Sequence, residues 1–537
     1  MALAFFGFLY RILILYSLWT ITVDLNLNAD VLVIGGGPAG CWAALTAAEN
    51  GARVVLAEKG YVGTAGATAA GNTTIIHTPP DSVLRQEAIG RRVARGLGLV
   101  EPERVDAVLQ ETYTGLNQLS AWGYRFPNDD HGTPFFGSMR GVDYLRFMRQ
   151  RLIKMGVQIL DQSPALGLLQ NDGVVAGAHG ESRLSGEAWL VQAKAVVIST
   201  GGCAFLSGAL GTNNLTGDGY LMAAEAGAAL SSMEFTGQYG ISPAHSSVTK
   251  GIIYFWSSFY DADHRLIETK GDRQDIVARH LVKGPVYAVI DKADPHLREG
   301  MRRGQPNIFV PFDRAGIDPF TQKFEVTLRH EGTVRGTGGL SIDALGATTV
   351  PGLYAAGDAA ARDQMTGATS GGGGPNASWA LATGVWSGKS AAAFAKSIGL
   401  RGSARALKAP REAVFRQPGK ADAPDVIARI QEHILPLDRG FYRSASRLIE
   451  SATALDGLWC DASRAVSAGV RAREATAMLA TARWITASAR VRYESRGIHR
   501  RIDVAASHPA WTVPVTSGGL ERVWAGPDAT FKEAVGQ

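Results

Sequence analysis

Cysteine is nearly absent from this chain of 537 residues: there are three, Cys41, Cys203 and Cys460. None forms a C-x-x-C pair, and three thiolates cannot by themselves hold an iron–sulfur cluster. Such scarcity fits a reducing compartment rather than a disulfide scaffold, and no metal site is expected. Charge is also sparse, with 19% charged residues and a net charge of +5. No nucleic-acid motif accompanies that surplus, so nucleic acid is not an expected partner. Internal repeats and low-complexity tracts are missing. Hydrophobic residues make up 46% of the chain, and the 64 glycines cluster in loops. That composition suits a globular enzyme of two or three domains that wraps backbone around a ligand.

One long apolar run stands out, Met1 to Ile21, with Arg11 its single charge. No A-x-A site follows, which argues against a cleavable signal peptide. The first reading is either an extension ahead of the domain or a tail that touches a membrane (1–28). The second is an anchor, since about 20 apolar residues suffice to span. The expected location is cytoplasmic, with membrane association through this tail.

The main signal comes next. Asp30-Val31-Leu32-Val33-Ile34 is a buried strand that enters Gly35-Gly36-Gly37-Pro38-Ala39-Gly40 and leaves in an alanine-rich helix. In a G-x-G-x-x-G the first glycine turns the chain, the second admits a pyrophosphate and the third lets helix approach sheet. The helix N-terminus then faces the phosphates. Arg53 to Ala57 reads as a second strand ending at Glu58 and Lys59. An acid about 20 residues beyond the fingerprint can accept from ribose hydroxyls. Gly35, Gly37, Pro38, Ala39, Gly40, Glu58 and Lys59 are therefore candidates to bind an adenine dinucleotide.

Small residues dominate Val62 to Thr74, and this loop can lie flat on a planar ring; Ala67, Thr68 and Gly71 are its candidate contacts. A buried strand, Ala193 to Ile198, runs into Ser199-Thr200-Gly201-Gly202. Thr216-Gly217-Asp218-Gly219 opens a further helix, with capping residues in place. From Met233 the character changes to mixed aromatics, prolines and charges, which reads as an insertion. The first pattern resumes at Gly352-Leu353-Tyr354-Ala355-Ala356-Gly357-Asp358, followed by Gly367 to Gly374 and a helix from Asn376. Thr200, Gly201, Asp218, Gly357, Asp358, Asn376 and Ala377 join the cofactor candidates. Two glycine-rich, helix-opening loops placed far apart suit a long cofactor gripped at both ends, which favours FAD over NAD. The remainder of the chain reads as helical.

These motifs, in this order, resemble the flavoprotein subunits of succinate dehydrogenase and fumarate reductase, together with L-aspartate oxidase and the adenylylsulfate reductase alpha subunit. Gly338-Gly339-Leu340-Ser341-Ile342-Asp343 strengthens the match. So does Arg492-Tyr493-Glu494-Ser495-Arg496-Gly497-Ile498-His499-Arg500-Arg501-Ile502-Asp503. The resemblance implies an α/β fold: a Rossmann-like FAD-binding domain (29–233 and 346–400), an inserted α+β capping domain (234–345), a linker (401–423) and a C-terminal helical domain (424–537). It implies an FAD-dependent oxidoreductase with a small-molecule substrate between flavin and cap. An iron–sulfur or ferredoxin-like protein is the implied electron partner, and oxygen the other acceptor.

The chain departs from that family where the chemistry is done. The histidine that tethers FAD covalently in some members falls near Gly66, so FAD is expected to be non-covalent. Glu234-Phe235-Thr236-Gly237-Gln238-Tyr239 places Tyr239 where dicarboxylate members have a histidine. Val334-Arg335-Gly336-Thr337-Gly338-Gly339 lacks another, and Thr369-Ser370-Gly371-Gly372-Gly373 lacks the clamping arginine. Arg273-Gln274-Asp275-Ile276-Val277 stands at the proton shuttle. Arg273, Arg279, Arg335 and Tyr239 are the catalytic candidates. A C4 dicarboxylate needs guanidinium forks in a desolvated pocket, and their loss argues against succinate, fumarate or aspartate as substrate.

Overall fold

The computed structural model describes residues 24–249, 251–398, 423–462 and 469–527. The apolar tail and most of the expected linker lie outside these residues.

The first strand, β1 (Leu25–Ile34), runs through Gly37 into α1 (Pro38–Glu49) and on to β2 (Val54–Ala57). β1 and β2 pair in parallel, Val33 opposite Leu56. β3 (Gln158–Leu160) extends the same edge. Three longer strands follow: β4 (Ala165–Asn171), β5 (Val174–Glu181) and β6 (Ala188–Ile198). The sheet order is β3-β2-β1-β6-β5-β4, and β6 lies parallel to β1 along nearly its full length. Both faces of the central strands are covered. Leu32, Ile34, Val196 and Ile198 point into one core, and Val31, Val33, Ala195 and Val197 into the other. Continuous apolar runs read this way because a sheet buried on both sides gives no polar alternation. The strand starts at Leu25, a few residues ahead of the expected domain start at 29. Next comes α2 (Asp218–Glu225).

An insertion then forms a separate five-stranded sheet. Its strands are β7 (Tyr239–Pro243), β8 (Ser258–Tyr260), β9 (Leu266–Ile267), β10 (Val286–Val289) and β11 (Phe324–His330), ordered β7-β11-β10-β8-β9. With α3 (Arg273–Leu281), α4 (Pro295–Gly304) and α5 (Pro306–Ala315) it encloses its own core around Phe259, Phe309, Phe312 and Phe324. The first sheet is completed only beyond this insertion, where β12 (Leu353–Ala355) pairs in parallel with β6.

The long helix α6 (Gly373–Ser397) lies against α1. α7 (Ala423–Ile434), α8 (Ala445–Ala462) and α9 (Val470–Val491) pack together. The chain end is not wholly helical, contrary to the sequence reading. Val515–Gly518 and Trp524–Pro527 are strands, and the first of them pairs with Leu230–Ser231. Each segment is only four residues long and contains a glycine, Gly518 or Gly526, so the strand state comes from tertiary pairing rather than local pattern.

Candidate functional site

A cavity of about 970 Å³ opens between the first sheet, the insertion and the start of α9. That lies near the upper limit for a small-ligand site. Its floor is the β1–α1 turn. Gly35 has φ +106°, and a side chain there would collide with the Ser199 carbonyl. Gly37, by contrast, has nothing within 4 Å of where a Cβ would stand, so the space above it is cavity. Gly40 does not face the cavity; it packs beneath the turn against the Gly35 carbonyl.

The Glu58 carboxylate is fixed by two backbone donors, Gly36 N at 2.6 Å and Gly60 N at 2.8 Å. Each oxygen keeps a second lone pair for a hydroxyl. Lys59 Nζ donates to Thr216 Oγ1 at 2.8 Å, to Asp218 Oδ2 at 2.9 Å and to Glu474 Oε1 at 3.2 Å. Burial works against the Lys59 charge, but Asp218 and Glu474 outweigh it and hold the ammonium above its usual range. Burial likewise opposes the Asp218 charge, and Lys59 outweighs it, leaving that carboxyl below its usual range. Glu474, from α9, was not visible as a site residue in the sequence. It gathers Lys59, Arg183 at 2.9 Å and Arg471 at 3.2 Å at this end of the cavity. No local motif marks it, because only the fold brings α9 here.

Farther along, Ala67, Thr68, Thr200, Gly201, Gly357, Asp358, Asn376 and Ala377 line the wall. Gly71 does not; its carbonyl accepts from Gly141 N at 3.0 Å. Asp358 pairs with the fully buried Arg362 at 2.8 Å. Burial raises the Asp358 pKa, with Arg362 and Arg335 opposing. Three buried atoms on this wall, Thr200 Oγ1, Asp218 Oδ1 and Asn376 Oδ1, have no hydrogen-bond partner in the protein. Buried polar atoms are normally satisfied. Together with the open space over Gly37 and the N-termini of α1 and α6, they fit a long polar ligand such as FAD.

The four catalytic candidates divide. Arg273 and Arg335 line the cavity. Arg279 does not: its side chain is exposed and pairs with Asp275 at 2.7 Å, one turn back on α3. Tyr239 is also excluded. Side chains alternate along β7, so Gln238 and Gly240 face the cavity while Tyr239 points away. Its hydroxyl donates to Leu435 O at 2.9 Å, and its ring meets His330 and Phe441 edge-on. The expected catalytic position at Tyr239 is thus occupied by a side chain on the face opposite the cavity. His77 is stacked between Tyr113 and Phe136, away from the cavity. Among the described residues lining the cavity there is no His, Cys or Tyr. Nor do the described residues contain a His/Cys/acid group able to hold a metal, or a helix long and apolar enough to cross a membrane.

Known proteins resemble this chain over most of its length. The model of the FAD binding domain matches residues 30–239. An L-aspartate oxidase from Streptomyces coelicolor is 27% identical over 89% of each chain. A fumarate reductase (CoM/CoB) polypeptide from Methanothermobacter marburgensis is 26% identical over 90% of this chain and 96% of its own. Among solved structures, the flavoprotein of an E. coli quinol fumarate reductase mutant superposes with a TM-score of 0.79 at 20% identity, covering 94% and 97% of the two chains. Adenylylsulfate reductase of Archaeoglobus fulgidus gives 0.75 at 18% identity, covering 94% and 96%.

Proposed function

We propose, from the likeness of this chain to L-aspartate oxidase and fumarate reductase and from its FAD binding domain, that this FAD-dependent oxidoreductase of the succinate dehydrogenase/fumarate reductase flavoprotein type acts on a small substrate other than a C4 dicarboxylate. FAD, held non-covalently along the Gly37-to-Asn376 wall, supplies two-electron chemistry. Residues 234–345 act as the cap, and the substrate lies beneath them.

The observation that carries this reading is the fate of the arginines. Arg183 and Arg471 belong to the Glu474 end. Arg335 lies 3.9 Å from Glu331 and bears on Asp358. Among the described cavity residues, this leaves Arg273 as the arginine with no carboxylate within ion-pairing distance. Two substrate carboxylates in a desolvated pocket need two such partners. The Arg335–Glu331 pair is placed to hold or pass a proton on the FAD side. Arg273 is placed to orient the substrate.

A second reading keeps the same fold but makes the chain an electron-transfer component that works with an iron–sulfur or ferredoxin-like partner. The same missing clamps favour it. Peripheral membrane contact through the apolar N-terminal residues, in a cytoplasmic setting, belongs to either reading.

Anaerobic titration of the yellow holoprotein separates them. Bleaching by one small molecule supports the enzyme; reduction only by a reduced protein partner supports the carrier.

A further inference from the structure

The short 3-10 helix Gly251–Trp256 forms one side of the cavity beneath the cap. Three residues per turn place side chains i and i+3 on one face. Ile253 and Tyr254 accordingly turn into the cap core, while Ile252 and Phe255 face the cavity. Both remain exposed, Ile252 to 43% and Phe255 to 66%. Large apolar side chains lining a concave wall yet left uncovered mark a surface for a ligand.

Arg273, at the first turn of α3, lies over the Phe255 ring with its guanidinium carbon 4.5 Å from the centroid. Stacking fixes the plane of the guanidinium and leaves its N–H edge to donate. A carboxylate, already paired with Arg335 at 3.9 Å, also lines the cavity. Glu331 accepts from Thr249 Oγ1 at 2.8 Å. Gly240 makes room for both: a Cβ there would come within 2.6 Å of Thr249 Cβ and 3.1 Å of Glu331 Oε2. The wall is thus apolar with an unpaired cation, Arg273, at its edge, while the second cavity arginine near it, Arg335, already has its carboxylate.

We infer that the substrate is a monoanion with an apolar, ring-sized body, selected by Arg273 for its charge and by Phe255 and Ile252 for its body. This rests on the reading of the cavity as the substrate site of a flavoenzyme. A second anionic group on the substrate finds no further unpaired guanidinium among the described cavity residues and is disfavoured.

Calorimetry on FAD-loaded protein tests it, with benzoate, benzamide, acetate and succinate as probes and flavin content measured on every preparation. Benzoate should bind at least about tenfold tighter than the other three, the scale of one charge-assisted hydrogen-bond pair or one buried ring. Arg273→Gln should weaken benzoate about tenfold, with Arg273→Lys intermediate. Phe255→Ala should erase the preference for benzoate over acetate. Succinate binding as well as benzoate, an unchanged Arg273→Gln, or flavin-loaded protein that binds none of the probes would overturn the inference. A preparation that takes up no FAD refutes the underlying flavoenzyme reading instead.

Discussion

Arg492 Nε donates to Glu234 Oε1 at 2.6 Å across 258 residues of sequence, and neither side chain has any exposed surface. The guanidinium is completed by Glu494 Oε1 at 3.0 Å and by the carbonyls of Trp511 and Val513, each at 2.7 Å. Glu494 in turn holds Arg496. The C-terminal Arg492-to-Arg501 motif is thereby locked onto the first residues of the insertion, away from the cavity.

Breaking this buried pair on one side should be costly. Arg492→Leu is expected to lower stability by about 3–5 kcal/mol, because it leaves Glu234 buried without its guanidinium; Glu234→Leu should cost less, because Arg492 keeps Glu494 at 3.0 Å. The double variant should lose less than the sum of the two. Urea unfolding of all four proteins checks this, and strict additivity would argue against direct coupling.

His499 belongs to the same frame. Its Nδ1 faces Arg443 Nη1 at 2.7 Å and its Nε2 faces the Arg492 carbonyl at 3.2 Å. Arginine can only donate, so Nδ1 accepts and the proton sits on Nε2. Burial, with Arg443 and Arg492 adding to it, holds the pKa well below the ordinary histidine value. The ring is neutral near pH 7 and anchors the motif. It is no general acid.

Asp363 gives the structure a pH signature. Burial, reinforced by Glu234 and Glu101, raises its pKa to about 6 from 3.8. A raised carboxyl pKa stabilises the fold below the unfolded value, and that contribution is lost as pH rises through about 6. Asp363→Asn should therefore gain on the wild type between pH 4 and pH 8, by roughly 3 kcal/mol for a shift of about two units. Denaturation midpoints across that range report it, and parallel pH profiles would contradict it.

Gly37→Val separates cofactor binding from folding. Gly37 has φ −71° and open space at its Cβ position, so the apoprotein should keep its stability within about 0.5 kcal/mol. FAD must approach that same space, and its affinity should fall about tenfold to a hundredfold. Fluorescence titration of apoprotein with FAD measures the loss. Unchanged affinity would mean the pyrophosphate does not pass over Gly37.

Much of this cofactor wall could be read before any fold was known. Gly35, Gly37 and Glu58 are tied by local strand–turn–helix geometry, which leaves a fixed spacing in sequence. The substrate wall leaves none. Phe255 reaches the cavity through a 3-10 turn, and Glu331 through a strand end. Tyr239 shows the limit most clearly: in a strand, a slip of one residue moves a side chain to the opposite face. Glu474 depends on where α9 docks, which no nearby residue announces.

The proposal that matters most is that the substrate is not a C4 dicarboxylate. Its most direct test is turnover of fumarate by the FAD-loaded protein with reduced viologen as electron donor, alongside L-aspartate oxidation in air. Rates indistinguishable from protein-free controls are expected for both. Saturable turnover of either substrate would contradict the account.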